Sequence, residues 1–355
     1  MVEIFGKRYN RAELLRRVGN PAQIGGIREY SYTSGRADGV KAIEIDTGSL
    51  RYELLVSRCL DIAFASYRGI PFGYVSKSGI RHPAYFAKND PTGFHDNFLG
   101  GVLTTCGLHN IGPAAEGGGR PHQLHGELAN MPAEMVSLRE EWIHDECIFS
   151  VEGEVRHSSF YHEDLVLRRK VSSRFGTSSL RIEDEIENRD FTPSPCIVLY
   201  HIQFGFPLLD VCSRLFTSPA AALTTRTGKR LDGDTRHTIF AGPSDGAEET
   251  CFYHDLVPDA DGYAVACLFN PELGEKGIGV YIRYHTAALP VFVQWKMLRS
   301  REFVCGLEPA SARLDGRDAG ELAACMLQPL EKRHFQLELG VVEGEEHCRA
   351  LVGEA

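Results

Sequence analysis

One carboxylate and a few histidines, set in apolar surroundings, are the groups of this chain best suited to moving protons. In Phe303-Val304-Cys305-Gly306-Leu307-Glu308-Pro309 a β-branched, apolar strand delivers Glu308 to its end, where Pro309 is expected to stop it. Leu307 and Pro309 shield the carboxylate from bulk water, and a shielded carboxylate can work as a base near neutral pH. The bland alternative is a solvated or salt-bridged glutamate at a strand end. His201 sits within Ile197-Val198-Leu199-Tyr200-His201-Ile202-Gln203-Phe204. A period of two sends Val198, Tyr200, Ile202 and Phe204 to one face and Leu199, His201 and Gln203 to the other. Two polar side chains on an apolar strand are costly to bury alone, so that face lines a wet cavity or holds an internal polar network. Histidine is also the side chain that most readily exchanges a proton near neutral pH.

Other groups supply candidate contacts. His122 and His125 are spaced H-x-x-H with His109 nearby, a set that could ligate a divalent metal only from a loop, because a strand would turn the two to opposite faces. His125 could equally be a turn histidine bonded to backbone. Arg58 and Asp61, in Ser57-Arg58-Cys59-Leu60-Asp61-Ile62, either serve the structure, paired with each other, or reach sugar hydroxyls from a cavity floor. Trp295 and Lys296 lie on a strand that forms a hairpin with the one leading to Glu308. A one-residue shift of register decides which of them shares the face of Glu308, and core packing competes for the tryptophan.

The elements that must position these groups are strands. Alternating or β-branched runs occur at 40–45, 52–56, 63–67, 148–155, 165–171, 179–187, 197–204, 264–269, 279–284, 291–297 and 335–342, separated by turn clusters such as Asn188-Arg189-Asp190. Helical patterns are short: 11–18, with Asn10 as N-cap, and a second one following Asp318. The reading is an all-β antiparallel sandwich with few short helices, one domain over 1–355, with 1–30 as a short N-terminal extension. The segment 112–121, rich in Gly and Pro, reads as a binding-site loop rather than a linker. Its glycines lack the Gly-Lys-Ser/Thr of a phosphate loop.

Composition narrows the function classes. The chain has 355 residues, 43% hydrophobic and 24% charged, with a net charge of −10 and no Lys/Arg stripe, which argues against nucleic acid and anionic membranes as partners. No apolar stretch approaches the ~20 residues of a membrane span. The first residues carry no basic segment followed by an apolar one, so the cytoplasm is the expected location. Ten cysteines without a C-x-x-C pair read as reduced core thiols. A small neutral molecule fits best as partner, and a homodimer is left open.

His125 in a His-Gly segment, His201 in a central strand and Glu308 near the C-terminus, in that order, resemble the aldose 1-epimerase (galactose mutarotase-like) superfamily. Ser57–Ile62, Leu103-Thr104-Thr105-Cys106-Gly107-Leu108 with Asn110, and Leu307-Glu308-Pro309 are more similar still to a bacterial branch of it known only as a domain of unknown function. The resemblance covers about 52–339. It implies the large galactose mutarotase-like β-sandwich and an isomerase that interconverts sugar anomers without cofactor or metal. Glu308 would be the general base on the anomeric hydroxyl and His201 the general acid on the ring oxygen, with a carboxylate nearby favouring the imidazolium. His125, Arg58, Asp61, Asn110, Gln203, Trp295 and Lys296 would be the substrate contacts. Tyr200 before His201, Glu127 after Gly126 and Ala310 after Pro309 depart from galactose mutarotase and make galactose a poor candidate. Two competing readings are a carbohydrate-binding protein without catalysis and a metal-dependent sugar isomerase built from His109, His122, His125 and a carboxylate.

Overall fold

A computed structural model describes every residue except Asn89, Pro91, Gly118, Asp234, Gly316, Asp318, Ala319, Gly320 and Ala355. Two large antiparallel sheets form the body. The first runs in the order 103–108, 197–205, 302–310, 291–299, 250–256, 220–225; the second in the order 133–143, 146–158, 164–174, 179–188, 332–343, 278–285, 263–270, 214–217. A five-stranded meander begins with 26–31 and ends at 70–71, and the Tyr52 hydroxyl at its centre meets Ser173 Oγ of the eight-stranded sheet at 3.0 Å. The antiparallel β-sandwich expected from the strand pattern is therefore what the chain adopts.

The period of two explains which face goes inward. Val198, Tyr200, Ile202 and Phe204 join Phe292, Cys305 and Leu307 in one buried cluster with Val151, Leu167, Ile182, Phe335 and Leu337 of the eight-stranded sheet. The cluster extends to Ile43, Ile45 and Leu54 of the meander, and Val2, Ile4 and Leu14 tie the first residues to it. Burial on this scale, at roughly 25 cal/mol per Å² of apolar surface, is what holds the sheets together. Within it lies one ionic centre. The Arg169 guanidinium, fully buried, donates to both carboxylate oxygens of Asp184 (2.9 and 2.7 Å) and to Asp61 (3.0 Å), while the Tyr200 hydroxyl donates to Asp184. Each of those charges is affordable in an apolar interior only because the others are present.

Helices are short. Asn10 caps Arg11–Leu15 through a reciprocal pair with Glu13, and the helix ends before residue 18 because Asn20 must be extended ahead of Pro21. The helix expected after Asp318 begins outside the described residues; a 3-10 turn occupies Glu321–Cys325. A C-terminal helix, Glu345–Val352, was not expected from the sequence; it packs Cys348 and Val352 onto the eight-stranded sheet. Among the described residues no helix is long and apolar enough to cross a membrane. All ten cysteines are free.

Candidate active site

The outward face of the six-stranded sheet carries the candidate groups in two adjacent rows. Leu199 pairs with Ala310 and Ile202 with Leu307, a register that sets His201 opposite Glu308. The ladder is interrupted at this step, where Pro309 has no N–H to give. Pro309 does not end the strand as expected: Glu302–Ala310 continues through it, paired with Phe292 on the other side. Thr104 lies beside His201, and Val293 beside Glu308. The neighbouring row holds Gln203, Gly306, Trp295 and Cys251. The register thus puts Trp295 on the face of Glu308 and turns Lys296 to the opposite face. Gly306 leaves the floor open, since a Cβ there would collide with Glu308 Oε1 and crowd Trp295.

His201 and Glu308 form a contact pair. His201 Nε2 lies 3.4 Å from Glu308 Oε1, both side chains being more than nine-tenths buried. Oε1 has no hydrogen-bond partner among the described residues. The tautomer of His201 follows from its other side. The Gly100 carbonyl can only accept, so the Gln203 amide nitrogen donates to it and the Gln203 oxygen faces His201 Nδ1. Nδ1 therefore carries hydrogen, and Nε2 is the nitrogen that exchanges a proton toward Glu308. Burial, reinforced by the charge of Glu249, pushes the Glu308 carboxyl well above its usual range, and burial pulls His201 down to about 4. This corrects the expectation that the carboxylate would favour an imidazolium. Desolvation outweighs the pair attraction, and the one proton the two groups share rests on Glu308.

Loops form the remaining walls. Gly93–Asn97 is a single helical turn whose Phe94 stacks on Phe98, with ring centroids 5.2 Å apart. The His201 ring is caged by Phe98 at 5.5 Å, His125 at 5.7 Å and Trp295 at 5.3 Å. His125 sits at φ +57° just before Gly126, whose Cβ, if present, would strike the Gly107 carbonyl. Its Nδ1 accepts the Gly112 N–H at 3.2 Å, which leaves Nε2 as a neutral N–H donor. Burial and the neighbouring His201 hold its pKa well below the ordinary value. Trp295 Nε1 donates to Glu249 at 3.1 Å. The cavity measures about 530 Å³ and is lined by Glu308, His201, His125 and Trp295, together with Arg226 and Glu249. It is roomy enough for a pyranose against an aromatic wall.

Five of the anticipated contacts lie elsewhere. Arg58 donates to the carbonyls of Arg81 and Asn97 and so holds the Phe94 turn in place. Asp61 accepts from the Thr105 N–H and hydroxyl and from Arg169, not from Arg58. Asn110 clamps the two ends of the 112–125 loop through the carbonyls of Pro113 and Gln123. Gln203 orients His201 from behind. Lys296 caps the carbonyls of Arg236 and Ile239 over the Phe240 ring. The three-histidine metal reading does not assemble: His125 faces this cavity, whereas His109 and His122 line another. Sequence reasoning missed Phe94, Phe98, Arg226 and Glu249. Only the i, i+4 spacing of the two phenylalanines gave a usable signal.

Comparison with known proteins places this geometry in context. A family model described as "Domain of unknown function (DUF4432)" matches residues 37–341. No curated protein matches the sequence. Among solved structures, a candidate aldose 1-epimerase from Klebsiella pneumoniae superposes with a TM-score of 0.83 at 20% identity, covering 94% of this chain and 89% of that one. A galactose mutarotase-like protein from Clostridium acetobutylicum gives 0.60 at 14% identity over 90% and 99% of the two chains. A galactose 1-epimerase from Lactobacillus acidophilus gives 0.57 at 13% identity over 90% and 100%. At these identities the likeness shows a shared fold.

Proposed function

We propose, on the premise that this chain belongs to the DUF4432 family and has the galactose mutarotase-like fold, that it interconverts the anomers of a free sugar by opening and closing the pyranose ring. The observation that carries the reading is the contact of Glu308 Oε1 with His201 Nε2 at the floor of a cavity of pyranose size. The anomeric oxygen and the ring oxygen are both bonded to C1, two bonds apart. Two proton-transfer groups side by side can therefore reach both at once.

In ring opening the shared proton first passes from Glu308 to His201 Nε2. Glu308, now a carboxylate, removes the proton from the anomeric hydroxyl, and His201, now an imidazolium, delivers one from Nε2 to the ring oxygen. The C1–O5 bond breaks as the C1 carbonyl forms. The pair is left as carboxylic acid and neutral imidazole, the proton arrangement that burial favours in the site itself. Rotation about C1–C2 presents the other carbonyl face. Closure then returns the proton to Nε2 and the carboxyl proton to the new hydroxyl, after which the shared proton passes back from His201 to Glu308 and the resting state is restored. In this reading His125 Nε2–H donates to a sugar oxygen, and Trp295 with Phe98 covers the apolar face of the ring. A protein that only held sugar would need no buried relay from Gly100 through Gln203 and His201 to Glu308, and that relay favours catalysis over binding alone.

The test is one-dimensional proton NMR or polarimetry of freshly dissolved sugars across neutral, deoxy and acidic members. Acceleration of one or more, abolished by Glu308→Gln, supports the reading. Saturable binding of a sugar with no acceleration of its anomer exchange would replace it with the binding function.

A further inference from the structure

A second cluster of chemically competent side chains lies outside the cavity just described. His109 follows the Leu103–Leu108 strand, His157 is near the end of Glu146–Ser158, and Glu163 precedes the Asp164–Arg174 strand. One hairpin and the end of a strand about fifty residues earlier thus bring two imidazoles and a carboxylate together, with one ligand atom from each lying within 4.8 Å of the others. All three side chains are more than nine-tenths buried.

Their bonding is incomplete. The Arg120 guanidinium, from the Arg120–His122 strand of a short hairpin, donates to His109 Nδ1 at 2.7 Å and to Glu163 Oε1 at 2.5 Å. His109 Nδ1 is thus an acceptor with its lone pair turned inward, and its Nε2 contacts Ser194 Oγ at 3.4 Å. His157 has no such partner: its Nδ1 is buried without a hydrogen bond among the described residues, and its Nε2 stands 3.7 Å from Glu163 Oε1, beyond bonding distance. A buried imidazole nitrogen without a partner is rare in folded proteins and calls for an explanation. Burial leaves both histidines neutral, His157 with a pKa of about 4, while Arg120 keeps Glu163 ionised in spite of its burial. The set is two neutral nitrogen donors and one anionic oxygen, the ligand types of a zinc-class ion.

We propose that His109, His157 and Glu163 form a binding site for a divalent transition-metal ion of the zinc class, for which the Arg120 guanidinium is the resident competitor. Arg120 satisfies one imidazole and the carboxylate but leaves His157 out; a small tetrahedral ion would engage all three. The guanidinium has room to withdraw, because Arg120 is partly exposed and, with His109 and Glu163, lines a cavity of about 600 Å³. Three protein ligands with one open position is a familiar arrangement for zinc.

The experiment titrates chelator-treated full-length protein with Zn²⁺ against a chromophoric chelator, and with Co²⁺ to read the ligand field. One equivalent should bind, giving four-coordinate cobalt bands without thiolate charge transfer, and Arg120→Ala should tighten binding at least tenfold. His157→Asn and Glu163→Gln should each weaken it at least tenfold. Near-UV circular dichroism identifies variants that keep the fold. If Glu163→Gln does not, the Arg120 and His157 variants decide. No binding by either wild type or Arg120→Ala overturns the proposal, as does binding that survives His157→Asn or a thiolate band that places the ion on cysteine. The outcome is independent of the sugar chemistry, since Glu308→Gln protein should bind the metal as wild type does.

Discussion

At the scale of single residues, the site depends on one proton held between two buried groups. Glu308→Gln and His201→Asn should each lower the rate of anomer exchange by about 10²–10⁴-fold while near-UV circular dichroism stays unchanged. Gln203 acts through His201 rather than on the sugar. Gln203→Leu should reduce kcat by roughly tenfold or more at constant KM, because Nδ1 loses its anchor. Gln203→Glu should move the pH–rate profile upward, because a carboxylate against Nδ1 favours the imidazolium. Glu308 also bears on stability. Its folded pKa lies above the unfolded value, so its contribution is fully present below about pH 4.5 and is lost as pH rises through the folded value. The urea midpoint of Glu308→Gln relative to wild type should therefore climb between pH 5 and pH 8. A midpoint difference independent of pH would mean that the carboxyl is not desolvated.

At the scale of elements, register decides which side chains meet. The runs at 197–204 and 291–297 were legible because β-branched residues alternate in them, and their two faces lie as the period of two requires. The Ala133–Ile143 strand was not legible: it lies at the sheet edge, mostly half-buried or exposed, and shows no clean alternation. Whether Trp295 or Lys296 would face Glu308 hung on one residue of hairpin register. Trp295→Ala should raise KM several-fold with little loss of stability. Lys296→Met should leave KM unchanged and cost about 1–3 kcal/mol in urea unfolding, by stranding the carbonyls it caps. Gly306→Ala should cut activity more than stability, since the added methyl displaces the Glu308 carboxylate rather than the backbone.

At the scale of the molecule, buried polar groups set both strength and weakness. Arg169→Met should destabilise the protein by about 3–5 kcal/mol in chemical denaturation, because Asp61 and Asp184 would remain buried without their cation. Burial holds His157, His201 and His254 at about 4, below the 6.5 of an unfolded chain. Across that interval the unfolded state binds protons that the native state refuses. Stability should then fall as pH drops from 6.5 toward 4, at about 1.4 kcal/mol per pH unit for each such histidine, and level off below. Urea midpoints measured from pH 7 to pH 4 check this, and a flat profile would mean that these imidazoles are hydrated.

The amino-acid sequence alone determined the fold class, the two faces of the 197–204 strand and the two proton-transfer candidates, Glu308 and His201, because alternation and local shielding are properties of neighbouring residues. The tertiary structure decided which polar groups belong to the site. Arg58, Asp61 and Asn110 carry the chemistry of sugar contacts, yet backbone carbonyls engage Arg58 and the Asn110 amide nitrogen, and Arg169 engages Asp61. Phe98 and Glu249 carry no motif, yet long-range packing brings them to the cavity. A polar side chain's role depends on the partner that engages it, and in a sheet protein that partner can lie about a hundred residues away, as Arg169 does from Asp61.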